Sequence, residues 1–128
     1  MAEHTKRVLI VDDAGLVRRY YRQILEAAGY IVDEALNGLE ALEKLDAQSH
    51  DMVIVDVNMP KMDGLTFLAT LRKQSSPESA IPAMVVSTEA GPQDRIAARS
   101  AGANFYLVKP VSDIVLRRHV DMFCGRSA

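Results

Sequence analysis

A chain of 128 residues has room for one domain of ordinary size with a core of its own, and too little for two. Its 48% hydrophobic and 25% charged residues are those of a globular protein, which excludes a disordered or fibrous chain. A net charge of -2 gives no overall pull toward nucleic acid or an anionic membrane, and the single cysteine, Cys124, excludes an internal disulfide.

The basic start of the chain, residues 1–7, leads into an apolar run too short for a signal-peptide core, and no stretch approaches a membrane span. With the lone thiol, which suits a reducing compartment, this predicts a cytoplasmic protein. Residues 8–11 are an unbroken apolar run and predict a first strand. Leu16, Tyr20, Ile24, Leu25 and Ala28 follow at helical spacing, with Gly29 as the C-cap. Residues 30–32 form a weaker second strand. Asn37-Gly38 admits a hairpin turn, but Glu40 and the helical spacing of Ala41, Leu42 and Leu45 make Asn37 a helix N-cap.

Residues 52–55, between Asp51 and Asp56, are the third strand. Leu65, Leu68 and Leu71 mark a helix after a loop that holds Pro60 and Gly64. Residues 75–82 connect to a fourth strand at 83–86. Residues 93–101 are helical but Ala-rich, so that helix is expected to be lightly anchored. Phe105–Val108 is the fifth strand, and Ser112 caps a last helix carrying Leu116, Val120 and Phe123. Five alternating β–α units predict a parallel sheet with helices on both faces, and unbroken apolar strands fit a sheet covered on both sides. There is no repeat, low-complexity tract or linker. The expectation is one domain over 1–128, with its core at about 6–123 and no output domain.

The polar residues at strand ends carry the chemistry. Asp12 and Asp13 follow the first strand, Asp56 the third, Ser87 and Thr88 the fourth, and Lys109 the fifth. In open parallel sheets ligands bind beyond these ends, where the strand order reverses. Adopting the flavodoxin-like order 2-1-3-4-5 brings Asp12, Asp13 and Asp56 together. Three converging carboxylates repel unless a cation joins them, and oxygen-only ligands suit Mg²⁺ rather than zinc. A carboxylate is a nucleophile for phosphoryl groups. Transfer needs mainly positioning and positive charge, which Mg²⁺, Lys109 and the Ser87 hydroxyl would supply. Each acid taken singly reads as a helix cap or loop residue. It is the placement at four of five strand ends that points to a site.

The stretches Val8-Leu9-Ile10-Val11-Asp12-Asp13, Val55-Asp56-Val57-Asn58-Met59-Pro60-Lys61-Met62-Asp63-Gly64 and Tyr106-Leu107-Val108-Lys109-Pro110 resemble the receiver domains of two-component response regulators. The resemblance covers the chain from Lys6 to about Phe123. It implies that Asp56 is the phosphoacceptor and that Asp12, Asp13, Asp56 and the Asn58 carbonyl hold Mg²⁺. It further implies that Ser87 is the switch hydroxyl, with Thr88 beside the phosphoryl group, and that Tyr106 is the aromatic residue whose rotamer reports activation. Lys109 matches the family's phosphoryl-binding lysine, joined to Pro110 through a cis peptide bond.

Within the family the chain is most similar to the single-domain chemotaxis regulators, in which the residues matching Asn58 and Glu89 tune dephosphorylation. Thr88 stands where Ala or Gly is usual, and Val57 and Ala14 replace aromatic residues. The implied partners are a histidine kinase or phosphotransfer protein and a downstream protein at the face of the fourth helix, fifth strand and fifth helix. Neither DNA nor membrane is an expected partner, and no catalysis is expected beyond the protein's own phosphorylation and dephosphorylation. Arg18, Arg19 and Arg22 on the first helix, and Arg117 and Arg118 on the last, read as solvated faces or as docking surfaces. A phosphate sink, a relay intermediate, a pseudo-receiver that binds a ligand such as a nucleotide, and a small Mg²⁺-dependent aspartyl phosphatase remain as alternatives.

Overall fold

The structure is a computed structural model that describes residues 5–126; the ends of the chain, 1–4 and 127–128, lie outside the described residues. Among these residues, strands β1 (Arg7–Val11), β2 (Ile31–Ala35), β3 (Met52–Asp56), β4 (Ala83–Ser87) and β5 (Phe105–Val108) alternate with helices α1 (Gly15–Ala27), α2 (Gly38–Ala47), α3 (Gly64–Arg72), α4 (Pro92–Ala101) and α5 (Asp113–Phe123). The strands form a parallel sheet in the order β2-β1-β3-β4-β5, which is the expected topology.

The pleat of the strands divides the core in two. Along β1, Val8 and Ile10 pack with Tyr21 and Leu25 of α1 and with Leu116 and Val120 of α5. Leu9 and Val11 point the other way, onto Ala41 and Leu45 of α2 and Phe67, Leu68 and Leu71 of α3. Successive side chains of a strand face opposite sides, so an unbroken apolar run feeds both cores. β3 and β4 are buried at every position. Cys124 packs in the α1–α5 core, where burial pushes its thiol up to about 11 and leaves it protonated at neutral pH.

The helix ends follow the expected signals closely. Asn37 caps α2 by accepting from the Glu40 N–H at 2.9 Å, and Glu40 accepts in return from the Leu36 N–H at 3.1 Å. Ser112 caps α5 through Val115, at 3.2 Å. Gly29 takes a left-handed φ of 94° just after the C-cap of α1, a conformation that favours glycine.

Two expectations shift. The second strand runs over Ile31–Ala35, and Tyr30 lies before it with its ring in the core and its hydroxyl donating to the Asp121 carboxylate. The connection at 75–82 contains a 3₁₀ turn, Pro77–Ala80. α4 buries only Ala98 and leaves Ile96 66% exposed, so it is lightly anchored as expected. A buried large aliphatic side chain contributes about 1.5–3 kcal/mol. α5 has two such anchors, Leu116 and Val120, and α4 has none. No described helix is long and apolar enough to cross a membrane.

Candidate functional site

Strand register assembles the site. Val11 pairs with Val55 across β1 and β3, so Asp12 and Asp56, each one step further, lie side by side. Asp56 pairs with Val86, and Ser87 with Val108, which sets Ser87 and Lys109 along the same edge. The Lys109 N–H donates to the Ser87 carbonyl at 2.8 Å, carrying the sheet one residue past β5. Carboxylate oxygens of Asp12, Asp13 and Asp56 all lie within 4.8 Å of one another. Asp12 and Asp56 are buried and Asp13 is exposed.

Among the described residues, one cation, Lys109, is bonded to these acids. The Lys109 ammonium donates to Asp56 Oδ1 at 3.1 Å and to Asp12 Oδ2 at 3.3 Å. Burial pushes the Asp56 carboxyl above the ordinary carboxylate range. The bond from Lys109 opposes this shift, and the charges of Asp12 and Asp13 add to it. Burial by itself would pull Lys109 down, but its bond to Asp56 and the charges of both acids hold it above an ordinary lysine. One lysine therefore does not neutralise the cluster. The remaining negative charge, the all-oxygen donor set and the open third acid fit a hard divalent cation such as Mg²⁺.

The backbone around Asp56 is tight. Gly64 begins α3, and its N–H donates to the Val57 carbonyl at 2.9 Å. A Cβ at Gly64 would come 2.1 Å from the Asp56 carbonyl oxygen. Between them, Lys61 takes φ of 66°, a left-handed conformation uncommon for a residue with a side chain. Asp63 caps α3 by accepting from the Thr66 N–H at 2.9 Å. Asn58 is exposed in this loop, two residues past Asp56.

The other predicted residues form a chain running away from the acids. Ser87 Oγ accepts from the Glu89 N–H at 3.0 Å, and the Glu89 carbonyl accepts from the Tyr106 hydroxyl at 2.7 Å. The backbone of one residue thus links the buried serine to the half-buried tyrosine. Arg95 of α4 lies over the Tyr106 ring at 5.0 Å, and both border a cavity of about 370 Å³ between α4 and β5. Thr88 is exposed and borders a different pocket, toward α1, together with Lys109. The Lys109–Pro110 bond is cis, as expected.

Some contributors were not visible in the sequence. Arg18 Nη1 donates to the Asp12 carbonyl at 2.7 Å, and Arg18 and Arg22 grip Glu34 of β2 at 2.7 and 2.6 Å. The reading of these two arginines as solvated or docking charges is therefore corrected: they tie α1 to the sheet. Arg19 is exposed, as are Arg117 and Arg118. Nothing in residue type marks Arg18 as structural, whereas a glycine opening the helix after β3 was a usable signal for Gly64.

Residues 8–121 match the family model described as "Response regulator receiver domain". The chemotaxis protein CheY1 of Helicobacter pylori is 39% identical over 121 residues, covering 93% of this chain and 97% of that protein. The solved chemotaxis response regulator CheY4 of Vibrio cholerae superposes with a TM-score of 0.88 at 34% identity, covering 94% of this chain and 99% of that one. The receiver domain of sensor histidine kinase PA1611 of Pseudomonas aeruginosa, solved with a magnesium ion coordinated in its active-site cleft, gives a TM-score of 0.86 at 25% identity. It covers 95% of this chain and 99% of that one.

Proposed function

The chain belongs to the response regulator receiver family, and we propose that it is a phosphorylation-controlled switch of a two-component system with Asp56 as its acceptor. The observation that carries this reading is the lysine bridge: Lys109 spans Asp56 and Asp12 inside a carboxylate cluster it cannot neutralise alone. Asp12, Asp13 and Asp56, with the Asn58 carbonyl, would hold Mg²⁺. When bound, that ion supplies positive charge to the oxygens of the transferring group.

The chain's own residues perform the rest. An ionised Asp56 oxygen attacks the phosphorus of a phosphohistidine, the P–N bond breaks, and its electron pair leaves with the imidazole of the donor. The product is an acyl phosphate on Asp56, which water later hydrolyses. Lys109 Nζ, 3.1 Å from Asp56, is within reach of an oxygen of the new group and offsets its charge. Catalysis of this kind is mainly positioning and charge. Asn58 and Glu89 flank the site and would set the lifetime of the acyl phosphate.

Signalling follows the Ser87–Glu89–Tyr106 chain. Turning the Ser87 hydroxyl toward a phosphoryl oxygen, with Thr88 alongside, withdraws it from the Glu89 N–H. The Glu89 backbone then shifts, and with it the carbonyl that holds Tyr106. Tyr106 of β5 lines the cavity under α4, and lightly anchored α4 is the element most easily moved. A downstream protein at the α4–β5–α5 face would sense that movement. The likeness to CheY1 and CheY4 supports a place in chemotaxis.

The test is intact mass after incubation with Mg²⁺ and acetyl phosphate. The expected result is one phosphoryl increment on the wild type, lost with chelator and absent from Asp56→Asn. An increment that persists in Asp56→Asn would place the acceptor elsewhere and defeat the reading.

A further inference from the structure

Lys109 is carried by a short loop that neither the sheet nor a helix holds throughout. β5 ends at Val108 and α5 begins at Asp113. The Lys109 N–H still reaches the sheet through Ser87, and Ser112 is fixed as the cap of α5. Between these two points, the Val111 carbonyl accepts from the hydroxyl of Tyr20, 91 residues away on α1, at 3.0 Å. Val111 is 7% exposed, so losing this partner would leave a buried carbonyl unpaired.

Packing holds the loop only at Val111, whose side chain joins the α1–α5 core, and leaves Lys109 and Pro110 outside it. A pocket of about 440 Å³ opens between α1 and the loop, lined by Val17, Tyr20 and Tyr21 on one side and by Thr88, Lys109 and Val111 on the other. Close-packed neighbours would resist movement of the loop, but here there is room beside it. Nor does Tyr20 anchor α1 to the core. It is 42% exposed, while Tyr21 and Leu25 are the buried residues of that helix. Among the described residues, Tyr20 meets the Tyr21 ring and donates its hydroxyl to Val111.

We infer that Tyr20 is a positioning residue for Lys109, its hydroxyl fastening the lysine's loop to the helix that also follows the acidic pair. This rests on the phosphoacceptor reading above. α1 then registers both halves of the site. Just before its first turn, the Ala14 N–H donates to Asp12 Oδ1 at 2.9 Å, and further along Tyr20 sets the loop from which Lys109 reaches Asp12 and Asp56. A lysine held in place before the reaction spends no free energy on ordering itself during it.

The experiment compares Tyr20→Phe, which keeps the ring, with wild type in phosphorylation by acetyl phosphate under Mg²⁺. The rate at saturating donor is expected to fall roughly three- to tenfold, a small fraction of what gross misplacement costs. The half-saturating donor concentration and the Mg²⁺ affinity by calorimetry stay within about twofold, because the acids are untouched. Amide exchange at Val111 and Ser112 rises while that of β3 is unchanged. In a Lys109→Ala background, Tyr20→Phe removes nothing further. A Tyr20→Phe rate equal to wild type overturns the inference. So does an equal loss in both backgrounds, which would mean that the tyrosine acts on the fold at large. A wild type that takes up no phosphoryl group brings down the phosphoacceptor reading itself, and this inference with it.

Discussion

Two groups of acids on the same sheet are treated in opposite ways. On edge strand β2, Asp33 receives Arg7 and His50, each at 2.8 Å, and Glu34 receives Arg18 and Arg22 on separate oxygens. Burial alone would raise both carboxyls, but the bonds from Arg7 and His50 to Asp33 and from Arg22 and Arg18 to Glu34 outweigh it and hold them below the ordinary range. At the carboxyl ends of β1 and β3 the balance reverses. One lysine faces three carboxylates, and Asp56 is raised. The contrast separates structure from function. Where acids are there to fasten strands, each has its cation; where charge is left over, the surplus is available to bind a metal or attack a phosphoryl group.

The largest effect should come from testing how rigidly the surplus is held. Gly64→Ala places a methyl carbon 2.1 Å from the Asp56 carbonyl, against backbone that cannot rotate away. The expected cost is about 3 kcal/mol, roughly a 10 °C fall in melting temperature by calorimetry, with loss of phosphoryl uptake. A fully stable and reactive Gly64→Ala protein would mean that the loop after Asp56 is loose, and that this edge needs no fixed backbone.

Much of this contrast could be anticipated from residue types, but only one side of it. The runs ending at Asp12, Asp56 and Ser87 are apolar because β1, β3 and β4 are covered on both faces, so strand and site were legible together. β2 was less clear because it lies at the edge. Its Asp33 and Glu34 make the strand look like a loop, and their partners, Arg7 and Arg18, come from distant turns of the chain. The meeting of Lys109 with the acids was expected from strand ends taken together with the adopted strand order, though not its bonds to both Asp12 and Asp56. The Tyr20–Val111 bond was not, since Tyr20 fits the apolar spacing of α1 as well as any core residue and only its hydroxyl differs. Long-range pairing by a single polar atom leaves no period in the sequence.

The fastening side of the comparison is tested by Glu34→Gln. Arg18 and Arg22 then face a neutral amide, at a cost of about 1 kcal/mol given their partial exposure. The pH dependence follows from the lowered carboxyls. Their folded values lie below the unfolded ones, so the stability they contribute is present above roughly pH 4 and is lost as pH falls through the folded values. Urea unfolding of Glu34→Gln should therefore show a flatter acid limb than wild type, with Asp33 still contributing. An unchanged acid limb would mean that the β2 pairs are solvated and fasten nothing.

The smallest effect is the most discriminating, because its sign is opposite. Asp56 is raised, so the folded protein binds a proton there more readily than the unfolded chain. Stability is greater below the ordinary carboxylate value and is lost as pH rises from there through the raised one. At neutral pH without metal the ionised Asp56 is a liability, and Asp56→Asn should melt a little higher than wild type, by roughly 2–4 °C. Millimolar Mg²⁺ should close that gap, since the ion stabilises the protein with three carboxylates more than the one with two. If Asp56→Asn melts lower than wild type in the absence of metal, Lys109 already neutralises the cluster. The surplus charge that distinguishes the working edge from β2 would then not exist.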